Sequence, residues 1–350
     1  MKRPTITDIA QRAGVTKAAV SFALNGQPGV SAATRERILA IAEEIGFQPS
    51  SAARALSAGK TGAFGLVIDR PARLLGIEPF FMQLISGIQA DLAAHQVTLL
   101  FTMTEDTDAE IELYRQWWAQ RRVDGVFVVD LKVDDRRIPA IEKLRMPAVV
   151  IGSPRGAGTL PAIGQDDRRV VDAVVGHLAG QGHRRIARVG GRSAYWHSVL
   201  RRDAFEAAAA IAGLTAFSVE ADYTAEHGAQ ATVSLLGSAE PPTAILYDSD
   251  VMAAAGLGVA QRMGVSVPGG VSIISWDDSA LCELMHPALT ALHRDIAGAG
   301  STAARMLREL VAGGHPESVM EAQPLLEVRM SSGPAGVSEI TSPARSRRTA

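Results

Sequence analysis

Apolar residues follow two different rhythms along this 350-residue chain, and the rhythm changes near residue 62. In the first stretch Ile6, Ile9, Ala10 and Ala13 recur at helical spacing and lay down one apolar stripe. Gly14 follows, and glycine accepts the left-handed conformation that ends a helix. Thr16 is placed to cap a second helix whose inner face is Val20, Ala23 and Leu24. Asn25-Gly26-Gln27-Pro28-Gly29 reads as a turn. Ser31 is placed to cap a third helix, with Ile38, Ile41, Ala42 and Ile45 inside and Gly46 as its stop. A short fourth helical piece over residues 51–56 follows Pro49.

Residues 57–62 form a small, polar linker. Beyond it, short apolar runs at 63–69, 97–102, 125–129, 148–151, 186–189, 244–247 and 271–276 suit strands buried on both faces. Helix-like stretches alternate with them at 80–94, 108–121, 166–181, 200–212, 225–236 and 250–263. That alternation predicts parallel α/β architecture, and its length predicts two similar lobes with a cleft between them. Asp166-Asp167-Arg168-Arg169, after Ala162-Ile163-Gly164, marks the predicted start of the second lobe. The tail from Ser331 is rich in Gly, Ser and Pro and is predicted to be disordered.

Charge changes the picture of the first stretch. The chain carries a net charge of -2, yet residues 1–60 hold eight Lys/Arg against four acids, or +4. The remaining 27 basic and 33 acidic residues give -6. A basic head on an acidic body points to a polyanionic partner for the head. The lone cysteine, Cys282, leaves no internal disulfide framework and fits a reducing compartment. The polar start Met1-Lys2-Arg3-Pro4-Thr5 lacks a signal peptide's apolar core, and no apolar run is long enough to span a bilayer, so the cytoplasm is the expected location.

The first two helices and their tight turn read as a helix-turn-helix, in which the second helix enters the major groove with its first residues against base edges. Those residues are Thr16, Lys17, Ala18 and Ala19. Lys17 suits a guanine edge, and the alanines suit a thymine methyl group. Ser21 and Asn25 suit phosphates. The 51–56 piece is too short to be a stable helix alone. Two copies, one from each subunit, would pack across the minor groove with Leu56 wedged into a base step. Folding of that piece would then depend on DNA and on the spacing of the two bodies, a route by which a ligand in the body controls the head.

The motifs Thr5-Ile6-x-Asp8-Ile9-Ala10-x-x-Ala13-Gly14-Val15, Val20-Ser21-x-x-Leu24-Asn25, Val30-Ser31-x-x-Thr34-Arg35-x-x-Ile38 and Pro49-x-x-x-Ala53-Arg54-x-Leu56 resemble the lactose/purine-repressor (LacI/GalR) family of bacterial transcription regulators. The likeness covers residues 4–330. It implies a small helix-turn-helix head on a periplasmic-binding-protein-like body of two parallel-sheet lobes. The implied division is 1–48 for the DNA-binding head, 49–61 for the hinge helix and linker, 62–330 for the effector-binding and dimerisation body, and 331–350 for the tail. It implies DNA contacts by Thr5, Thr16, Lys17, Ala18, Ala19, Ser21, Asn25, Ser31, Arg54 and Leu56, with Lys17 and Ala18 as the main base readers. The family usually has Ser or Thr at Ala19, and some members carry a polar base reader at Phe22.

In the body the resemblance implies an effector cleft built from Phe80, Arg201, Tyr223, Ser249 and Asp277. Many relatives have Asn or Asp at Ser249, and Asp250 reads as the cap of its helix. Aromatic faces beside Arg and Asp suit a sugar or sugar derivative. The partners expected are double-stranded operator DNA, a small-molecule effector and a second copy of the chain. No cofactor is expected. His183 reads as a strand-entry residue, and the eight histidines show no metal spacing. Neither a nucleophile elbow nor a P-loop occurs, so the chain does not read as an enzyme. The competing reading is a cytoplasmic sugar-binding sensor without specific DNA readout.

Overall fold

The structure, a computed structural model, describes residues 4–47, 60–70 and 75–336. The predicted hinge with Arg54 and Leu56 lies outside the described residues, as does the basic end of the tail. The chain divides into two compact units between Gly62 and Ala63.

The head holds α1 (Ile6–Ala13), α2 (Lys17–Leu24) and α3 (Ala32–Glu44). Each helix begins where a short polar side chain satisfies a free backbone donor. The Asp8 carboxylate accepts the Thr5 N–H at 2.8 Å and the Thr5 hydroxyl at 2.7 Å. Thr16 Oγ accepts the Ala19 N–H at 3.2 Å, and Ser31 Oγ accepts the Thr34 N–H at 3.3 Å. Gly14 and Gly46 both sit at φ 64° where the chain leaves a helix. Ile9, Val20 and Ile38, one from each helix, are fully buried at the centre. Burial of each contributes about 1.5–3 kcal/mol.

The body opens with β1 (Ala63–Asp69), α4 (Pro79–Ala94), β2 (Thr98–Thr104), α5 (Thr107–Ala119), β3 (Gly125–Val128), α6 (Arg137–Leu144), β4 (Ala148–Ile151) and β5 (Ala162–Gly164). It continues with α7 (Asp167–Gly180), β6 (Arg185–Gly190), α8 (Trp196–Ile211), β7 (Thr215–Glu220), α9 (Ala225–Leu236), β8 (Ala244–Tyr247), α10 (Asp250–Arg262), β9 (Ser272–Ser275), α11 (Ala280–Leu284) and β10 (Thr290–His293). It closes with α12 (Ile296–Val311), β11 (Val319–Met320) and β12 (Leu325–Glu327). Two six-stranded sheets result, in the orders β11-β5-β4-β3-β1-β2 and β12-β10-β9-β8-β6-β7. All pairings are parallel except β10 with β12. The order reverses beside β1 and beside β6, and open parallel sheets take ligands beyond the strand C-termini at such a reversal.

The lobes are not consecutive in the chain. α7 opens the second lobe near the predicted Asp166, but α12 returns to pack on α4, β11 joins the first sheet and β12 the second. The chain therefore passes between the lobes three times. The α4–α12 contact is backbone to backbone. A Cβ on Gly87 would lie 1.8 Å from the Ala297 carbonyl oxygen, and one on Gly300 2.4 Å from that of Leu84.

The expected disorder from Ser331 is corrected as far as Gly336. Ser331 Oγ donates to the Ile273 carbonyl at 2.6 Å and accepts the Thr290 N–H at 2.8 Å. The Gly333 carbonyl meets His183 Nε2 at 3.1 Å, and the Ala335 N–H donates to the Gln181 carbonyl at 2.9 Å. Small polar residues read as disorder by composition, yet here they fill a narrow seam whose buried donors and acceptors need partners.

Gly87→Ala should lower stability by about 1–3 kcal/mol or more, because no flexible side chain can yield to the new methyl. Denaturant unfolding of wild type and variant checks this, and equal midpoints would refute the close contact.

Candidate functional site

On the head, Lys17 and Ala18 are exposed at the start of α2, with Ala19 half-buried behind them. Thr16 and Ser31 are exposed but already serve as helix caps, and Thr5 is tied to Asp8. Asn25 Nδ2 donates to the Ser21 carbonyl at 3.0 Å and lies 3.4 Å from its hydroxyl, so these two predicted phosphate ligands stand side by side. Phe22 is 40% exposed on the same helix, an apolar surface where a polar base reader was the alternative.

In the body, loops at the C-terminal ends of both sheets face each other across a polar cleft. Phe80, Arg201, Tyr223 and Asp277 all line it. Ser249 does not, and this corrects the sequence expectation. Its Oγ accepts the Met252 N–H at 3.3 Å and caps α10 from a buried position. Asp250 is correspondingly not the cap: it accepts its neighbour Val251's N–H at 2.8 Å and the Ser279 hydroxyl, and burial pushes its carboxyl up to about 6.

Three arginines, the buried Arg70 and Arg201 and the half-buried Arg294, organise the cleft. Arg70, just beyond β1, donates to Asp130 at 2.8 Å and lies over the rings of Tyr223 and Tyr195 at 4.6 Å and 4.8 Å. Arg294 donates to Asp277 at 2.8 Å, so that carboxylate is already engaged, and covers the Phe80 ring at 5.1 Å. Arg201, on α8, lies 3.9 Å above the Trp276 ring centroid, a cation–π contact. Its nearest acids, Asp167 and Asp248, stand 3.7 Å and 4.0 Å away, too far for hydrogen bonds, and its buried Nε has no partner. Asp248 is itself satisfied by Arg188 Nε at 2.9 Å and the Gly191 N–H at 3.2 Å.

Tyr223 sits at φ 69°, a left-handed conformation that costs an aromatic residue about 1–3 kcal/mol and that gathers at functional sites. Its hydroxyl meets His197 at 2.6 Å and Ser198 at 3.2 Å. Burial, with the nearby Arg201 charge, drives His197 down to about 3, so the ring is neutral. The lobes also touch directly: the Val133 N–H donates to the Ala194 carbonyl at 2.9 Å, and the Trp196 N–H to that of Leu131 at 2.8 Å. Arg70, Glu78, Asp130, His197, Asp248 and Arg294 were missed in the sequence. Arg70, Asp130, Asp248 and Arg294 lie within two residues of strand C-termini, the one signal that would have flagged them.

His183 is buried at the entry to β6, its Nδ1 2.8 Å from Thr243 Oγ1. Among the described residues no cluster of His, Cys, Asp or Glu is placed to hold a metal ion, and no helix is long and apolar enough to cross a membrane.

A capped three-helix head and a two-lobed α/β body with a polar interlobe cleft define a class of protein, the ligand-sensing helix-turn-helix regulators. Residues 5–50 match the family model "Bacterial regulatory proteins, lacI family", and residues 175–332 match a periplasmic binding protein-like domain. The transcriptional regulator MalR of Streptomyces coelicolor is 31% identical over 343 residues, covering 94% of this chain and 97% of its own. The transcriptional repressor PurR of Photobacterium profundum is 28% identical over 332 residues, 93% of this chain and 98% of its own. A solved complex of the transcriptional regulator CelR with cellobiose aligns at a TM-score of 0.72 and 28% identity, over 94% of this chain and 100% of that one. The chain belongs to the lacI family of bacterial regulatory proteins, whose members are DNA-binding transcription regulators and not enzymes.

His197 gives a pH signature. Its folded pKa of about 3 lies below the ordinary value near 6.5, so the unfolded chain takes up the proton first as pH falls. Its contribution to stability is present above about pH 6.5 and is lost toward pH 3, with a slope approaching about 1.4 kcal/mol per pH unit. Comparison of the unfolding free energies of wild type and His197→Gln across this window isolates the effect; identical pH slopes would refute it.

Proposed function

We propose that this chain is a ligand-controlled repressor that binds a palindromic operator as a homodimer, with DNA affinity set by a sugar or sugar derivative in the interlobe cleft. The observation that carries the reading is Arg201, a buried cation stacked on Trp276 whose Nε lacks a partner beside the ring of Tyr223 in the same cleft. An unpaired buried donor is costly, and a ligand oxygen satisfies it. Rings beside Arg and Asp suit the apolar faces and hydroxyls of a sugar, and the cellobiose held by CelR supports that class.

On the operator, Lys17 and Ala18 read base edges while Thr5, Thr16, Ala19, Ser21, Asn25 and Ser31 support the fit against the backbone. Arg54 and Leu56 act at the minor groove, Leu56 as the wedge. A ligand that favours one disposition of the lobes shifts the population toward it, and operator DNA then changes ligand affinity by the same factor. The protein works in the cytoplasm, on the nucleoid.

Selection from a random DNA pool with full-length protein at fixed salt should enrich a palindrome. Folded protein that enriches no sequence, with or without a panel of sugars, would refute specific readout. Arg201→Ala should retain operator affinity and lose effector affinity by about 10- to 150-fold, the worth of a hydrogen bond to a charged group. Titration calorimetry against the inducing or corepressing sugar checks it, and unchanged affinity removes Arg201 from the site.

A further inference from the structure

Among the described residues that line the cleft, Glu78 is the second with a buried polar atom that no hydrogen bond answers. It stands just before Pro79 at the start of α4, is 7% exposed and lines the cleft. Its side chain does not cap the helix, and its Oε2 has no hydrogen-bond partner. Arg70, the cation whose charge acts on it, is committed to Asp130. Arg201 and Glu78 thus line one cavity from opposite lobes, and each carries a buried polar atom, Nε in one and Oε2 in the other, without a protein hydrogen bond.

We propose that Glu78 is a specificity residue of the cleft: a carboxylic acid on the first lobe that hydrogen-bonds a hydroxyl of a neutral, polyhydroxylated effector whose other end is held by Arg201. This rests on the effector reading above and assigns the far end of the ligand. A ligand touching both groups spans the two lobes, so it satisfies both orphans only when the lobes are closed on it. The charge of the site selects against anions. Six carboxyl groups and three arginines line the cleft, and two of the arginines are already paired with Asp130 and Asp277. The groups around Glu78 are Arg70, which favours its ionised form, and Asp130, Asp277 and Asp250, which oppose it. Burial outweighs Arg70 and pushes the carboxyl up to about 8, so at neutral pH it both donates and accepts, as a sugar hydroxyl requires.

The test uses the full chain, with Glu78→Gln as the neutral mimic and Glu78→Leu as the deletion. Without ligand, wild type loses stability from this group as pH rises from about 4 through 8, because the folded state holds the proton that the unfolded state releases. Glu78→Gln, which has no proton to release, should match wild type near pH 4 and melt a few degrees higher at pH 9. A lower melting temperature at pH 9 would mark Glu78 as an ionised structural partner and overturn the proposal. With glucose, cellobiose, glucosamine and glucose 6-phosphate as probes, a neutral sugar should raise the wild-type melting temperature. Affinity for that sugar should fall at least tenfold in Glu78→Leu and stay within about threefold in Glu78→Gln. Equal affinity in Glu78→Leu overturns the Glu78 assignment alone. A shift by the phosphate only overturns the neutral-ligand assignment, and no shift of wild type by any probe counts against the sugar-effector reading itself.

Discussion

A guanidinium taken out of water costs several kcal/mol unless a carboxylate meets it, and the strand ends that carry Arg70, Asp130, Asp248, Asp277 and Arg294 are arranged around that constraint. Arg70 is answered by Asp130, Arg294 by Asp277 and Arg188 by Asp248. Each pair ties the end of one strand to a neighbouring segment, so the electrostatic requirement also fixes where the loops lie. Arg201 departs from the pattern. Asp167 and Asp248 supply charge without hydrogen bonds, and Trp276 supplies a face. The site therefore keeps an organised cation whose directional bonding is still free, which is what a binding group needs and a structural group does not.

The same loops hold the lobes against each other. Leu131 and Val133 exchange backbone hydrogen bonds with Trp196 and Ala194, while Arg70 of the first lobe lies over Tyr195 and Tyr223 of the second. A Cβ on Gly156 would sit 2.4 Å from the Trp196 indole nitrogen, so the loop carrying this glycine comes right up to the ring. Contacts this close have few intermediate arrangements, and packed interfaces of that kind switch rather than deform. Binding chemistry and lobe disposition share the same residues, which is the physical basis for coupling a ligand to a distant function.

Much of this was legible in the sequence, for identifiable reasons. The runs at 63–69, 148–151 and 244–247 match β1, β4 and β8 because central parallel strands are apolar without interruption. β7 was missed because its edge position leaves its side chains half-exposed, with no continuous apolar run. α12 was missed because Ala297-Gly298-Ala299-Gly300-Ser301 reads as a linker; those small residues exist to let its backbone approach α4. Phe80, Arg201, Tyr223 and Asp277 reached the cleft through the family resemblance, whereas Ser249 failed because a serine at that position is short enough to turn back and cap its own helix. Position after a strand end marks Arg70 and Asp130 as cleft candidates, but no local pattern shows that they pair, since sixty residues separate them.

The triple passage of the chain between the lobes also orders events during synthesis. The first sheet lacks its outer strand, and α4 lacks the helix that covers it, until the segments around Ala297 and Val319 have emerged from the ribosome. Roughly half of the body must be made while the first lobe waits with an uncovered apolar face and an open strand edge, the kind of surface that aggregates or recruits chaperones. For the same reason neither lobe is a contiguous stretch of gene. Shortening the chain anywhere before Met320 removes part of the first lobe as well as the second, so the sensor reaches the cell whole or not at all.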